Sequence, residues 1–104
     1  MNVEPLRWED GVLLVLDQRA LPGDERWIRC ETAEQVAGCI RTLAVRGAPA
    51  IGIAAAYAMA LAASRGEDLE AAAAMLRTTR PTAVNLGWAL DRALEAGDGD
   101  LLAL

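Results

Sequence analysis

The sequence predicts an α+β fold, a small antiparallel sheet followed by a helical bundle. Three observations carry that reading. The first thirty residues hold short β-rich runs separated by turn signals. From Thr32 onward the apolar residues recur at helical spacing. Hydrophobic residues make up 54% of the chain, and much of that share is alanine, which is small and favours helix. The implied division is a β region over residues 1–30 and a helical bundle over residues 31–104.

Taken in order, Leu6-Arg7-Trp8 is a strand candidate and Glu9-Asp10-Gly11 a turn. Val12 to Leu16 is a second β-rich run, and the two make a hairpin. Leu21-Pro22-Gly23-Asp24 is another turn, and Arg26 to Cys30 alternates as a third strand. A sheet of two or three short strands is weak alone and needs one face covered. Thr32 with Gln35 three residues on is a capping box, opening a helix over 33–44. Val36, Cys39, Ile40 and Leu43 form its buried stripe. Residues 49 to 63 are apolar almost throughout, with Pro49 suited to a first helical turn. This segment falls short of the ~20 residues that span a bilayer, so it reads as a helix buried on all sides. Such a helix asks for more surrounding protein than the chain readily supplies, a hint of a longer parent. Arg65-Gly66 stops it. Asp68 caps a helix from Leu69 to about Arg77, with Leu69, Ala72, Ala73 and Leu76 on one face. After Thr79-Arg80-Pro81-Thr82 a last helix runs from about Ala83 to Glu95, with Ala83, Leu86, Leu90, Ala93 and Leu94 inward. Gly97 and Asp98-Gly99-Asp100 end it, and the abrupt Leu101 to Leu104 also suggests truncation.

Composition narrows the chemistry. The chain has 104 residues, one small domain or part of a larger one. A formal charge of -5 argues against a general nucleic-acid surface. There is no lysine, so every basic side chain is an arginine, and no histidine, the commonest general base and metal ligand. Cys30 and Cys39 form neither a CxxC pair nor a zinc pattern, and read as reduced, buried thiols of a cytosolic protein. No positively charged leader opens the sequence. No nucleophile has an assignable base beside it.

The informative stretch is Val45-Arg46-Gly47-Ala48-Pro49-Ala50-Ile51-Gly52, which joins two predicted helices. Gly47 permits φ > 0 or close approach of a ligand to the backbone. The free N–H groups of the following first turn attract an anion, and Arg46 adds a forked donor that matches phosphate oxygens. The same residues also suit a tight helix–helix corner with a surface arginine. Arg80 stands in a similar setting, just before a proline-marked helix start. If the two helices lie side by side with the same ends together, two guanidinium groups and two helix N-termini converge on one anion.

The segments IRTLAVRGAPAIGIAAAYAMALAA (Ile40 to Ala63) and TRPTAVNLGWALDR (Thr79 to Arg92) resemble the N-terminal region of the methylthioribose-1-phosphate isomerases. So does the opening PLRWEDGVLLVLDQRALPGD (Pro5 to Asp24). The resemblance covers essentially the whole chain. The wider family includes the alpha, beta and delta subunits of translation initiation factor 2B and archaeal ribose-bisphosphate isomerases. The resemblance implies cytoplasmic, dimeric enzymes of methionine salvage that convert 5-methylthioribose 1-phosphate to its ketose without a cofactor or metal. It implies a further Rossmann-like α/β domain, absent from this chain; the catalytic cysteine sits in a later segment and the catalytic aspartate later still, in that domain. Cys30 and Cys39 precede the arginine-glycine-alanine motif and do not match that cysteine. What carries over is substrate binding by Arg46, Gly47, Ala48 and Arg80, with no catalytic residue. The expectation is an N-terminal part that is inactive and poorly stable alone. The competing readings are a non-enzymatic regulatory subunit that keeps the fold, and a stand-alone helical interaction domain.

Overall fold

The computed structural model describes residues 6–20, 23–42, 45, 48–80 and 83–96. Three strands, β1 (Leu6–Glu9), β2 (Val12–Leu16) and β3 (Trp27–Cys30), pair antiparallel in the order β1-β2-β3. Asp10 and Gly11 take φ of 52° and 76°, so both turn residues are left-handed. That geometry matches the twist of a two-residue hairpin and suits Asp-Gly. Glu9, expected in the turn, pairs instead with Val12 as the last residue of β1. β3 begins at Trp27 rather than Arg26, whose carbonyl accepts from the Asp17 N–H at 2.7 Å.

The register sorts the side chains by face. Leu6, Val15 and Ile28 form one cross-strand row, and Trp8, Leu13 and Cys30 the next. Leu13, Val15 and Cys30 are fully buried in a core shared with the helices, which supply the cover that so small a sheet needs. Between β2 and β3 lies a 3₁₀ turn, Gln18–Ala20, which the residue pattern did not signal. Asp17 organises it, accepting from the Arg19 backbone N–H at 2.9 Å and from its guanidinium at 2.9 and 2.8 Å.

Four helices follow: α1 (Ala33–Arg41), α2 (Ala48–Ser64), α3 (Leu69–Arg77) and α4 (Val84–Ala96). The capping box opens α1 as expected, with Gln35 N–H donating to Thr32 Oγ1 at 3.2 Å and Gln35 Oε1 accepting from Thr32 N–H at 3.1 Å. α1 stops at Arg41 instead of residue 44. Thr42 turns its hydroxyl back onto the Gly38 carbonyl at 2.8 Å, the competition a β-branched hydroxyl brings to a helix end. Leu43, expected on the buried stripe, lies outside the described residues. Val45 is buried, and its N–H reaches the Cys39 carbonyl.

α2 begins one residue before Pro49. It ends in a Schellman pattern: Gly66 at φ +70°, Gly66 N–H to Ala63 C=O at 3.1 Å and Glu67 N–H to Ala62 C=O at 2.9 Å. Asp68 caps α3 through Glu70 N–H at 2.9 Å and Ala71 N–H at 3.3 Å. The turn residues Leu21 and Pro22 and the segment from Gly97 onward lie outside the described residues.

The short connections make successive helices antiparallel. α1 and α3 therefore run one way, α2 and α4 the other. α2 is the central helix, packed against the other three and against β1, where Tyr57 stacks on Trp8 with ring centroids 5.2 Å apart. Ala54, Ala55, Ala58, Met59, Leu61 and Ala62 are buried on all but one flank. The expectation of complete burial fails at Ile53, which is 51% exposed. No described helix is long and apolar enough to cross a membrane.

Candidate functional site

The alternation of the bundle brings the N-termini of α2 and α4 to one end. Gly52, in the second turn of α2, faces Asn85, the second residue of α4. A Cβ at position 52 would lie 3.4 Å from the Asn85 carbonyl oxygen. Glycine leaves this face of α2 without a side chain, and a single Cβ would just reach contact with α4. The Ala48 end of α2 stands about 6 Å further along the axis, one turn of rise. The two first turns are therefore neighbours.

Arg80 lies at the entrance to α4. The Thr79 hydroxyl is buried and donates to the Leu76 carbonyl at 2.6 Å, which folds the chain over the end of α3. The Arg80 carbonyl then accepts from Ala83 N–H at 2.9 Å, tying the arginine to the start of the next helix. Among the described arginines Arg80 is the one held in a half-buried position. The others are exposed, and several are used locally. Arg77, one turn earlier, crosses above Gly87 to pair with Asp91, and Arg19, Arg26, Arg29 and Arg65 each meet a carboxylate two residues away. No described carboxylate forms an ion pair with Arg80.

The predicted site residues divide. Ala48 is the first residue of α2, and Arg80 precedes α4 at the same end of the bundle. Arg46 and Gly47 lie outside the described residues, so their position relative to Arg80 is not part of this geometry. The two ends of the bundle differ in charge. α1 and α3 carry Glu34 and Glu70 in their first turns, whereas α2 and α4 carry no acidic residue there. The partial positive charge of a helix N-terminus is thus met by an internal carboxylate at one end only. An open cleft lies at that acidic end, lined by Thr32, Glu34, Glu67, Asp68 and Met75. Its three carboxylates make it unfit for an anion.

Two further clusters escaped the residue pattern. Asp17 is held below the usual carboxylate range by its side-chain hydrogen bond from Arg19, against the opposing effect of burial. Cys30 and Cys39 meet, with their sulfurs 3.7 Å apart. Each half of the signal was present, a cysteine closing a strand and another on the inner stripe of the next helix, but their meeting depends on how strand and helix dock. Among the described residues no three of His, Cys, Asp and Glu come together as a metal site would need.

Residues 44–102, more than half of the chain, match the Initiation factor 2 subunit family. The chain belongs to that family. A methylthioribose-1-phosphate isomerase of Anaeromyxobacter dehalogenans is 58% identical over 97 residues, which cover 86% of this chain and 29% of that protein. Two solved structures share the architecture. One is translation initiation factor eIF-2B, subunit delta, from A. fulgidus, with a TM-score of 0.83 at 43% identity over 91% of this chain and 30% of that one. The other is 5-methylthioribose 1-phosphate isomerase from Pyrococcus horikoshii OT3, with a TM-score of 0.80 at 35% identity over 95% of this chain and 32% of that one. The chain spans about a third of the length of the curated relatives it matches. The three-stranded antiparallel sheet and four helices are the N-terminal architecture expected from the sequence. The two structural neighbours are named as a translation-factor subunit and an isomerase.

Proposed function

We propose that this chain is the phosphate-gripping part of an S-methyl-5-thioribose-1-phosphate isomerase, and that the full-length protein interconverts 5-methylthioribose 1-phosphate and 5-methylthioribulose 1-phosphate. The observation that carries the reading is the contrast between the two ends of the bundle. The α2/α4 end gathers two helix N-termini without a carboxylate in either first turn, and adds Arg80. In this reading Arg46, Gly47 and Ala48 supply the second half of the grip: a guanidinium fork and first-turn N–H groups on the phosphate oxygens. Relatives about half identical to this chain and named as that isomerase favour the substrate.

The chemistry asks for such a grip. The substrate carries its phosphate on C1, so the ring must open with the phosphate attached before a hydrogen moves from C2 to C1. The overall change is redox-neutral within one molecule and needs no external electron carrier. Holding the phosphate fixes C1 and C2 against whatever acid and base act on them, which lowers the entropic part of the barrier. This chain holds and orients the phosphate, and the proton-transferring groups belong to the remainder of a cytoplasmic, homodimeric enzyme. The second reading, a regulatory subunit that keeps the pocket without turnover, is favoured by the likeness to eIF-2B, subunit delta.

The test is kinetic and uses the full-length protein. Unchanged protein should form ketose from 5-methylthioribose 1-phosphate, and absence of turnover favours the regulatory reading. Arg80→Ala should lower kcat/KM about ten- to a hundredfold, the worth of one charge-assisted contact of roughly 1.5–3 kcal/mol. Arg80→Lys should restore part of it, since an ammonium cannot reproduce the fork. Unchanged kcat/KM in a folded Arg80→Ala protein removes Arg80 from the site.

A further inference from the structure

Cys30 and Cys39 are not needed for gripping a phosphate, yet the fold brings them together. Cys30 ends β3 and is fully buried, and Cys39 lies on the inner face of α1 and is 5% exposed. Their sulfurs are 3.7 Å apart, in hydrogen-bonding contact. The corner between them is fixed by the Thr32–Gln35 capping box, with Gln35 Oε1 also accepting from Glu31 N–H. Backbone and side chain thus hold the two thiols in register before any bond forms. A disulfide of about 2.05 Å needs the sulfurs to close by about 1.7 Å, within reach of side-chain rotation and a small shift of the helix.

We propose that Cys30 and Cys39 are an oxidisable dithiol, and that a peroxide-class oxidant closes them into an intrachain disulfide joining β3 to α1. Cys39 is the attacking sulfur. Both residues are buried, Cys39 the less completely at 5% against none, and the Cys39 thiolate form receives the Cys30 S–H and lies within electrostatic reach of Arg19. The remaining charge facing it is the Asp17 carboxylate, itself occupied by Arg19. The Cys30 thiol is pushed up by its hydrogen bond to Cys39 and by burial, so it stays protonated and serves as the resolving group. The steps balance. The Cys39 thiolate attacks one peroxide oxygen, the O–O bond breaks, and hydroxide leaves with Cys39 as sulfenic acid. Cys30 sulfur then attacks the Cys39 sulfur, the S–O bond breaks, and water leaves with the Cys30 proton. The peroxide is reduced, and the two thiols are oxidised to one disulfide.

The sequence supplies a convenient readout. Trypsin cuts after Arg29 and Arg41, and no arginine or lysine lies between, so both cysteines fall in one peptide, Cys30 to Arg41. Full-length protein is treated with hydrogen peroxide, alkylated under denaturing conditions and digested. The expected product is this peptide unalkylated and lighter by two hydrogen atoms than the reduced, unmodified form. Equilibration against a glutathione redox buffer should give a disulfide-to-dithiol ratio at least about tenfold higher in native protein than in urea, because the fold pre-aligns the pair. Cys30→Ser should leave Cys39 as a sulfenic acid captured by dimedone, and Cys39→Ser should leave Cys30 unreacted. Stepwise oxygen addition to one sulfur without the lighter peptide, or equal ratios in native and urea-treated protein, overturns the proposal.

Discussion

Gly52 gives the sharpest test of the packing that brings two helix N-termini together. A Cβ there would stand 3.4 Å from the Asn85 carbonyl oxygen and 3.6 Å from the Asn85 Cβ. These are ordinary contact distances, the first at their tight edge. Gly52→Ala should therefore fit, and its gain in helix propensity, about 1 kcal/mol, offsets any crowding. The expected outcome lies between no change and a small stabilisation. Gly52→Val is different. A valine in a helix keeps essentially one χ1 rotamer, so its methyls cannot both turn away from α4. What they meet is the backbone of another helix, which cannot swing aside as a side chain can. Overpacking of this kind costs about 1–3 kcal/mol, and here it also pushes the start of α4 away from α2. Gly52→Val should lower the thermal midpoint of the full-length protein by several degrees, on the order of 2–4 °C per kcal/mol for a larger chain. It should also weaken substrate binding, whereas Gly52→Ala does neither. If alanine destabilises as much as valine, the space at this contact is misjudged. If valine changes nothing, α2 and α4 are not joined there and the convergence of their N-termini loses its basis.

Two further expectations follow from charge. Val84, the first residue of α4, is 82% exposed. Val84→Glu should stabilise the helix slightly, by about 0.3–1 kcal/mol through the helix dipole, while weakening phosphate affinity; thermal melts and substrate titration should move in opposite directions, and unchanged affinity would refute a phosphate at this end. Asp17 is held below its ordinary range, so it stabilises the fold above the unfolded carboxylate value and that contribution is lost as pH falls through the depressed folded value. The loss begins below about pH 4; Asp17→Asn should flatten this acid limb in a pH series of urea midpoints, and an unaltered limb would show that Asp17 contributes nothing there.

Much of the fold was legible because each element carried its own punctuation. Asp10-Gly11 specified the hairpin, Thr32 with Gln35 the start of α1, Gly66 the end of α2 and Asp68 the start of α3. α3 runs from Leu69 to Arg77, as its cap and its apolar face suggested. Local hydrogen bonds decide these places, and local sequence reports them. The misses arise where a distant or competing partner decides. Thr42 ends α1 early through its own hydroxyl, and Asp17 builds a 3₁₀ turn through Arg19. The Cys30–Cys39 contact needs the sheet and helix already docked. Full burial of residues 49–63 was expected from apolarity alone. Ile53 escapes it because α2 is covered by α1, α3, α4 and β1 and one flank stays open. The apolarity of α2 is thus met mostly within the chain.

The candidate site was legible in a different way, and only half of it. Arg80 and the helix starts could be marked from residue types, but not the reason for proposing an anion at this end. That reason is a comparison among four helices. Ala33-Glu34-Gln35 and Leu69-Glu70-Ala71 open α1 and α3 with a carboxylate in the first turn, whereas Ala48-Pro49-Ala50 and Val84-Asn85-Leu86 open α2 and α4 without one. In the linear sequence these are four unrelated tripeptides. Once short connections force the helices to alternate, the two acidic starts fall at one end and the two neutral starts at the other. An exposed helix terminus near solvent gains little from lacking a carboxylate, since water satisfies its N–H groups and a charge there would stabilise it. Two such starts side by side, with a half-buried arginine between helix ends, are better suited to a charge that arrives with a ligand than to one supplied by the chain. The cost in helix stability is on the order of 1 kcal/mol at most for each terminus. On the proposed reading a grip on phosphate contributes more than that per contact, and the arrangement then favours binding over fold stability at this end.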